Sequence, residues 1–126
     1  MIIGIGTDIV DISRVKEILE RQGEKFVNRI LSQPEQKELS GRITPSIVAK
    51  RFAAKEAFSK ALGTGIGRVL SFQDLTVRNN ENGKPYFMPS EKLRLYLKDK
   101  DIQQGHLSIS DESQNALAFV VLEAKD

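Results

Sequence analysis

Four side chains in this sequence have the types needed for phosphate chemistry: Asp8, Glu56, Lys60 and His106. Asp8 and Glu56 are hard oxygen ligands, and two carboxylates plus substrate phosphates is the usual way a protein holds Mg²⁺. Lys60 stands four residues after Glu56, one helical turn on. His106 is the only histidine, and an ordinary imidazole pKa of about 6.5 suits proton or phosphate work at neutral pH. Ser108 offers a hydroxyl two residues further on. Such a set suits phosphoryl transfer, where positioning and charge neutralisation do most of the catalysis. No serine nucleophile with a paired base is visible. The chain has no cysteine, which removes disulfides, thiolate nucleophiles and zinc–thiolate sites and suits a reducing cytosol.

Glu56 and Lys60 belong to a helix predicted over 45–62, begun by Thr44-Pro45 and ending in a glycine loop. At about 100° per residue, Ile47, Ala54, Phe58, Ala61 and Leu62 share one face, which must be buried. Phe52, Glu56 and Lys60 stack nearly opposite as a row. Alanines at 49, 53 and 57 keep the surroundings low, so something bulky can approach the row. Two readings stay open: a solvated face with an ion pair worth roughly 0.3–0.5 kcal/mol, or a strip facing a ligand. Gly63 caps the helix, whereas Gly65 and Gly67 go beyond what a cap needs. A Gly-x-Gly-x-Gly loop frees backbone N–H groups for a phosphate. It is neither a phosphate-binding Walker loop nor a dinucleotide fingerprint, since no Gly-Lys-Ser/Thr follows and it closes a helix where the fingerprint opens one.

Asp8 lies in a strand predicted over 2–10 and expected to be buried. Ile3, Ile5, Thr7 and Ile9 share one face; Gly4, Gly6 and Asp8 lie on the other with Ile2 and Val10. A buried, unpaired carboxylate is costly, so Asp8 is either a structural acid capping a turn or a ligand. His106 opens an alternating stretch, His106-Leu107-Ser108-Ile109-Ser110, on the wetter face with the serines.

The remaining elements frame these residues. Asp11 and Ser13 offer caps for a helix to about Gln22, with Ile12, Val15, Ile18 and Leu19 inward, Arg14, Lys16 and Arg21 outward and Gly23 as its stop. Short helices follow near 24–31, burying Phe26 or Val27, and 34–40, ended by Gly41. A hairpin pairs 75–78 with 84–88 across Asn79–Gly83, and Pro85 confines the return to an edge or a late start. Ser90 caps a helix over 91–98, and the apolar strand 115–123 is expected to be central. The fold class is α+β: a small antiparallel sheet packed on one long helix and several short ones.

The 126 residues fit one domain, 1–126. A 40% hydrophobic fraction predicts a modest core, which often gains from self-association. The N-terminus lacks a basic leader and soon meets Asp8, so no signal peptide is expected. No apolar run approaches the ~20 residues needed to span a bilayer, and no membrane partner is expected. A net charge of +2 tolerates an acidic partner or phosphorylated ligand. With 6% aromatics and no Trp, it is too weak to argue for nucleic acid. A non-catalytic module binding a nucleotide or an acidic protein is the competing class, separable because it is indifferent to chelation of Mg²⁺.

Three stretches in order, Gly4-Ile5-Gly6-Thr7-Asp8-Ile9-Val10, residues 51–66 with Arg51-Phe52-Ala53-Ala54-Lys55-Glu56-Ala57-Phe58-Ser59-Lys60 at their head, and His106-Leu107-Ser108-Ile109-Ser110, resemble the holo-acyl-carrier-protein synthase branch of the 4′-phosphopantetheinyl transferases. The resemblance spans essentially the whole chain. It implies transfer of 4′-phosphopantetheine from coenzyme A to a serine of apo-acyl-carrier protein, releasing adenosine 3′,5′-bisphosphate, in a cytoplasmic Mg²⁺-dependent homotrimer of fatty-acid biosynthesis with sites between subunits. By the same resemblance, Asp8 and Glu56 hold Mg²⁺, and Glu56 helps deprotonate the serine, directly or through a bound water. Lys60 and His106 contact phosphates. Arg51, Gly63-Thr64-Gly65, Asn82-Gly83-Lys84-Pro85 and Ser108 line the nucleotide site. Arg14 and Arg21, with Phe26 nearby, meet the acidic carrier, as the basic face of the first helix also suggests. Asp111 departs from the family, which often has His there, and Leu31-Ser32-Gln33-Pro34-Glu35 is a loose version of a family segment expected to bear on packing.

Overall fold

The computed structural model describes residues 1–125. Its architecture follows from one close approach. Strand β1 (Ile2–Asp11) lies directly on helix α4 (Pro45–Leu62). A Cβ added to Gly4 would overlap the Ala61 carbonyl; one on Gly6 would overlap that of Ala57 and stand 2.7 Å from the Ala61 nitrogen. Only glycine permits that contact. Ala49, Ala53 and Ala57 are fully buried: the bulky neighbour they admit is largely the sheet, not a ligand. Helix α4 is therefore covered on most sides, with Phe52 and Glu56 half-buried and Lys60 exposed along its open edge.

The main sheet is antiparallel with order β1-β5-β4, so β5 (Asn115–Ala124) is central, as its apolar composition predicts. Strand β4 (Ile102–Asp111) begins four residues before the alternating stretch. Register places Asp8 opposite Ala118 and Ile109, and Ile5 opposite Val121 and His106. Ala116, Ala118, Val120 and Leu122 of β5 turn inward. The expectation that β1 is a buried strand holds for one face only. Ile5 and Ile9 are 60% and 63% exposed, and with Ile3, Leu117 and Phe119 they form an uncovered apolar sheet face. The alternation is right, but the glycine side went inward because it alone can lie flush on a helix backbone.

Around this core run α1 (Ile12–Gln22), α2 (Glu24–Ile30), α3 (Gln33–Glu38), the hairpin β2 (Leu75–Asn79) and β3 (Pro85–Pro89), and α5 (Glu91–Asp99). Asp11 caps α1 by accepting from the Ser13 N–H at 2.9 Å. Ser32 and Glu35 form a capping box on α3, which ends two residues earlier than expected. The hairpin turn is held by Asn80 Oδ1, which accepts from Asn82 and Lys84 N–H at 2.8 and 3.0 Å. The hairpin is a separate two-stranded sheet, so Pro85 sits on an edge, at the first position of β3. Among the described residues no helix is long and apolar enough to cross a membrane.

Candidate active site

Asp8 faces α4 because β1 turns its glycine side that way, and α4 answers with Glu56 and Lys60. The Lys60 Nζ donates to Asp8 Oδ1 at 2.9 Å and to the Thr7 carbonyl at 3.0 Å. Among the described residues Asp8 Oδ2 is buried with no hydrogen-bond partner. Glu56 opens into the same cavity as Asp8, a space of about 580 Å³ whose other walls include Arg14, Phe26, Ile30, Phe52 and Phe72. Burial first, and the Asp8 charge second, push the Glu56 carboxyl above its ordinary pKa, while Lys60 and Arg29 pull the other way.

A divalent cation fits this pair. It would satisfy the orphaned Asp8 oxygen and relieve the repulsion that raises Glu56. Among the described residues no cluster of three or more acid, His or Cys ligands exists. Phosphate oxygens and water would complete the coordination, which is how Mg²⁺ is usually held.

The other expected residues lie elsewhere. His106 is on the outer sheet face, its Nε2 2.7 Å from Glu123 Oε1, while Asp8 is on the inner face. Lys84, Pro85, His106 and Ser108 line one cavity of about 340 Å³. Arg51, Gly83, Pro85 and Asp111 line another of about 340 Å³, with Asn79 beside them. The Asn82–Pro85 turn thus straddles two grooves, both apart from the carboxylates. Asp111 stands 4.0 Å from Lys50 at the rim of the Arg51 groove.

The glycine amides of the loop are not free, contrary to the expectation from its spacing. The N–H groups of Gly63, Thr64 and Gly65 all donate to the Ser59 carbonyl, at 3.0–3.2 Å, and Gly67 N–H donates to Leu70. The positive φ of Gly63 and Gly65 serves this cap.

Arg14 reaches the carboxylate cavity, Phe26 is buried in its wall, and Arg21 is exposed in the last turn of α1. Sequence reasoning missed Arg29, which lines the same cavity. Its spacing from Phe26, three residues on in a short helix, was the available signal. It also missed Glu35 and Lys55, both wholly buried and 2.6 Å apart.

Comparison with known proteins decides the family. The model of the 4′-phosphopantetheinyl transferase superfamily matches residues 4–120. The chain belongs to that family. It is 60% identical to a holo-[acyl-carrier-protein] synthase of Ruthia magnifica over 127 aligned positions, covering 100% of both chains. The crystal structure of the holo-[acyl-carrier-protein] synthase from Neisseria meningitidis superposes with a TM-score of 0.93 at 44% identity, covering 98% of this chain and 99% of that one. A holo-(acyl-carrier-protein) synthase from Bacillus anthracis in complex with CoA (3′,5′-ADP) gives a TM-score of 0.83 at 42% identity, covering 99% of each. The resemblance read from the three motifs, the α+β fold class and the assignment as an enzyme of this transferase family all hold.

Proposed function

We propose that this protein, as a single domain, transfers 4′-phosphopantetheine from coenzyme A to a serine of apo-acyl-carrier protein, with Mg²⁺ held by Asp8 and Glu56. The supporting observation is the shared cavity in which a buried Asp8 oxygen has no partner beside a Glu56 whose proton is held more tightly than usual. In the proposed reaction the serine Oγ attacks the phosphorus that carries the pantetheine arm. A new P–O bond forms, the bond to the bridging oxygen breaks, and adenosine 3′,5′-bisphosphate departs. Glu56 takes the serine proton, directly or through a water. Lys60, freed from Asp8 Oδ1, reaches the phosphates and offsets the charge on the leaving group. Mg²⁺, when bound, neutralises the diphosphate and holds it in line.

Arg51, Gly63, Thr64, Gly65, Asn82, Gly83, Lys84, Pro85, His106 and Ser108 belong to the coenzyme side of this reading. Since their amides cap α4, Gly63–Gly65 contribute shape more than hydrogen bonds. His106 and Asp8 lie on opposite faces of one sheet, so a complete site takes its two halves from two copies. The uncovered face of Ile3, Ile5, Ile9, Leu117 and Phe119 is the surface on which copies would meet, as a homotrimer. Arg14, Arg21 and Arg29 suit an acidic carrier, with serine entry past Phe26. The reading places the reaction in cytoplasmic fatty-acid biosynthesis.

The test is to mix the protein with coenzyme A, Mg²⁺ and several apo-carriers and weigh the carriers. A mass gain equal to the phosphopantetheine arm, lost on chelation, is expected; no gain with any carrier defeats the reading. Light scattering should give three times the 14.1 kDa chain mass. Mixed assemblies of Glu56→Gln and His106→Ala protomers should regain activity that neither has alone. If mixing restores nothing, the shared-site arrangement is wrong.

A further inference from the structure

We propose that Glu35 is a positioning residue for the transferase site, one buried carboxylate that sets the walls of two cavities. Oε2 accepts from Arg51 Nη1 at 3.2 Å and from the Val77 N–H at 3.1 Å. Arg51 and Val77 both line the groove beside the Asn82–Pro85 turn. Oε1 accepts from Lys55 Nζ at 2.6 Å. That ammonium also donates to the carbonyls of Ile30 and Phe72, at 2.6 and 3.0 Å, and both residues line the Asp8–Glu56 cavity.

Stability alone does not call for such an arrangement. A well-packed apolar set of equal volume is often as stable as a buried ion pair or more so. Burial pushes the Lys55 ammonium below its ordinary pKa, and Glu35 counters that. The ion pair does what an apolar core cannot: it aims donors. Among the described residues Glu35 is the only hydrogen-bond partner of the Arg51 guanidinium. Arg51 is nearly buried and lines a groove, and a guanidinium carries five N–H donors. A guanidinium held at one nitrogen presents its other edge in a fixed direction, as bidentate phosphate recognition requires.

This inference rests on coenzyme A as the donor. Steady-state kinetics with coenzyme A and apo-carrier test it. Glu35→Gln should raise KM for coenzyme A about tenfold to hundredfold, with kcat within about threefold. In an Arg51→Met background, the same substitution should add nothing, because the two residues act as one unit. A purely structural Glu35 would lower the unfolding temperature and leave KM alone. An unchanged KM, or equal effects in both backgrounds, overturns the proposal. Should Glu35→Gln not fold, Glu35→Asp keeps the charge but falls one methylene short of Arg51. It should fold and show the raised KM; a wild-type KM overturns the proposal too. If neither variant folds while Arg51→Met folds and binds coenzyme A like wild type, Glu35 serves only stability and the proposal fails. If the wild-type protein modifies no carrier, the underlying reading is what fails. Calorimetric titration of coenzyme A into wild type and Glu35→Asp then still reads the positioning of Arg51.

Discussion

Lys55 and Lys60 stand five residues apart on α4, and each is within 3 Å of a carboxylate, Glu35 at 2.6 Å and Asp8 at 2.9 Å. The two pairs differ in everything else. The first is sealed: both side chains are inaccessible, Lys55 has three acceptors, and Glu35 takes Ser32 N–H, Lys55, Arg51 and Val77 N–H. The second is open: Lys60 is half-exposed, Asp8 Oδ2 has no partner among the described residues, and burial and Asp8 push the neighbouring Glu56 carboxyl above its ordinary pKa. Buried polar groups are normally satisfied. The unanswered Asp8 oxygen beside a perturbed acid is the observation on which the proposed cation rests. Charge on this helix is thus fully partnered on one side and left partly unanswered on the other.

Several substitutions would sharpen or break that contrast. Glu56→Gln should lower turnover by about 10²–10⁴-fold, measured as carrier modified per unit time. It should also raise the unfolding temperature, because a carboxyl with a raised pKa is one whose charged form the fold disfavours. Mg²⁺ should stabilise wild type more than this variant. A variant that is both inactive and less stable would remove the open cluster's distinction. Lys55→Met should cost about 3–5 kcal/mol, since it strands the Glu35 charge; chemical denaturation would register it, and a loss below about 1 kcal/mol would make the sealed pair equivalent to a surface one. Gly6→Ala should cost about 1–3 kcal/mol from overpacking against the Ala57 carbonyl. Activity should fall with it, because Asp8 rides on the same strand. Lys60→Ala should cost less stability than Lys55→Met, since Lys60 is half-exposed although its partner Asp8 is not, while slowing transfer. A large stability loss there would contradict the assignment of Lys60 to chemistry.

The smallest effect is on pH. In the proposed reaction Glu56 acts in its ionised form, and without a bound cation its pKa lies above the ordinary 4.5. At limiting Mg²⁺ the acid limb of kcat/KM should therefore fall at a higher pH than an ordinary carboxylate gives, and saturating Mg²⁺ should move it down. Stability runs the other way. The native state holds the Glu56 proton more tightly than the unfolded chain, so this contribution favours the fold at low pH. It is lost as pH rises from 4.5 through the raised value. At limiting Mg²⁺, an acid limb at or below the ordinary carboxylate range would contradict the crowding of Asp8 and Glu56.

Much of the site was legible because its signals are local. Acid and base at i and i+4 on a long helix, an acid beside two glycines in a strand, and an alternating stretch holding His106 are periodicities, and they survive folding. The two glycines were legible as a pattern but not as a cause; only the strand-on-helix contact shows why a side chain is forbidden. The glycine loop was misread for a related reason. Spacing shows which amides have conformational freedom, whereas the Ser59 carbonyl that collects three of them is visible only in space. Glu35 was readable as a capping residue from Ser32-Gln33-Pro34-Glu35, and its grip on Arg51 and Lys55 was not.

By itself the sequence determined the elements, their caps, the central place of the apolar last strand and the family that three ordered motifs define. These depend mostly on side-chain volume, period and backbone preference within about ten residues. Tertiary structure decided which side of β1 went inward, that Asp8 meets Glu56 and Lys60, that His106 does not, and that Glu35 stands beneath two cavities. Those outcomes turn on distances between residues tens of positions apart, where a single carbonyl in contact with a glycine outweighs any local tendency.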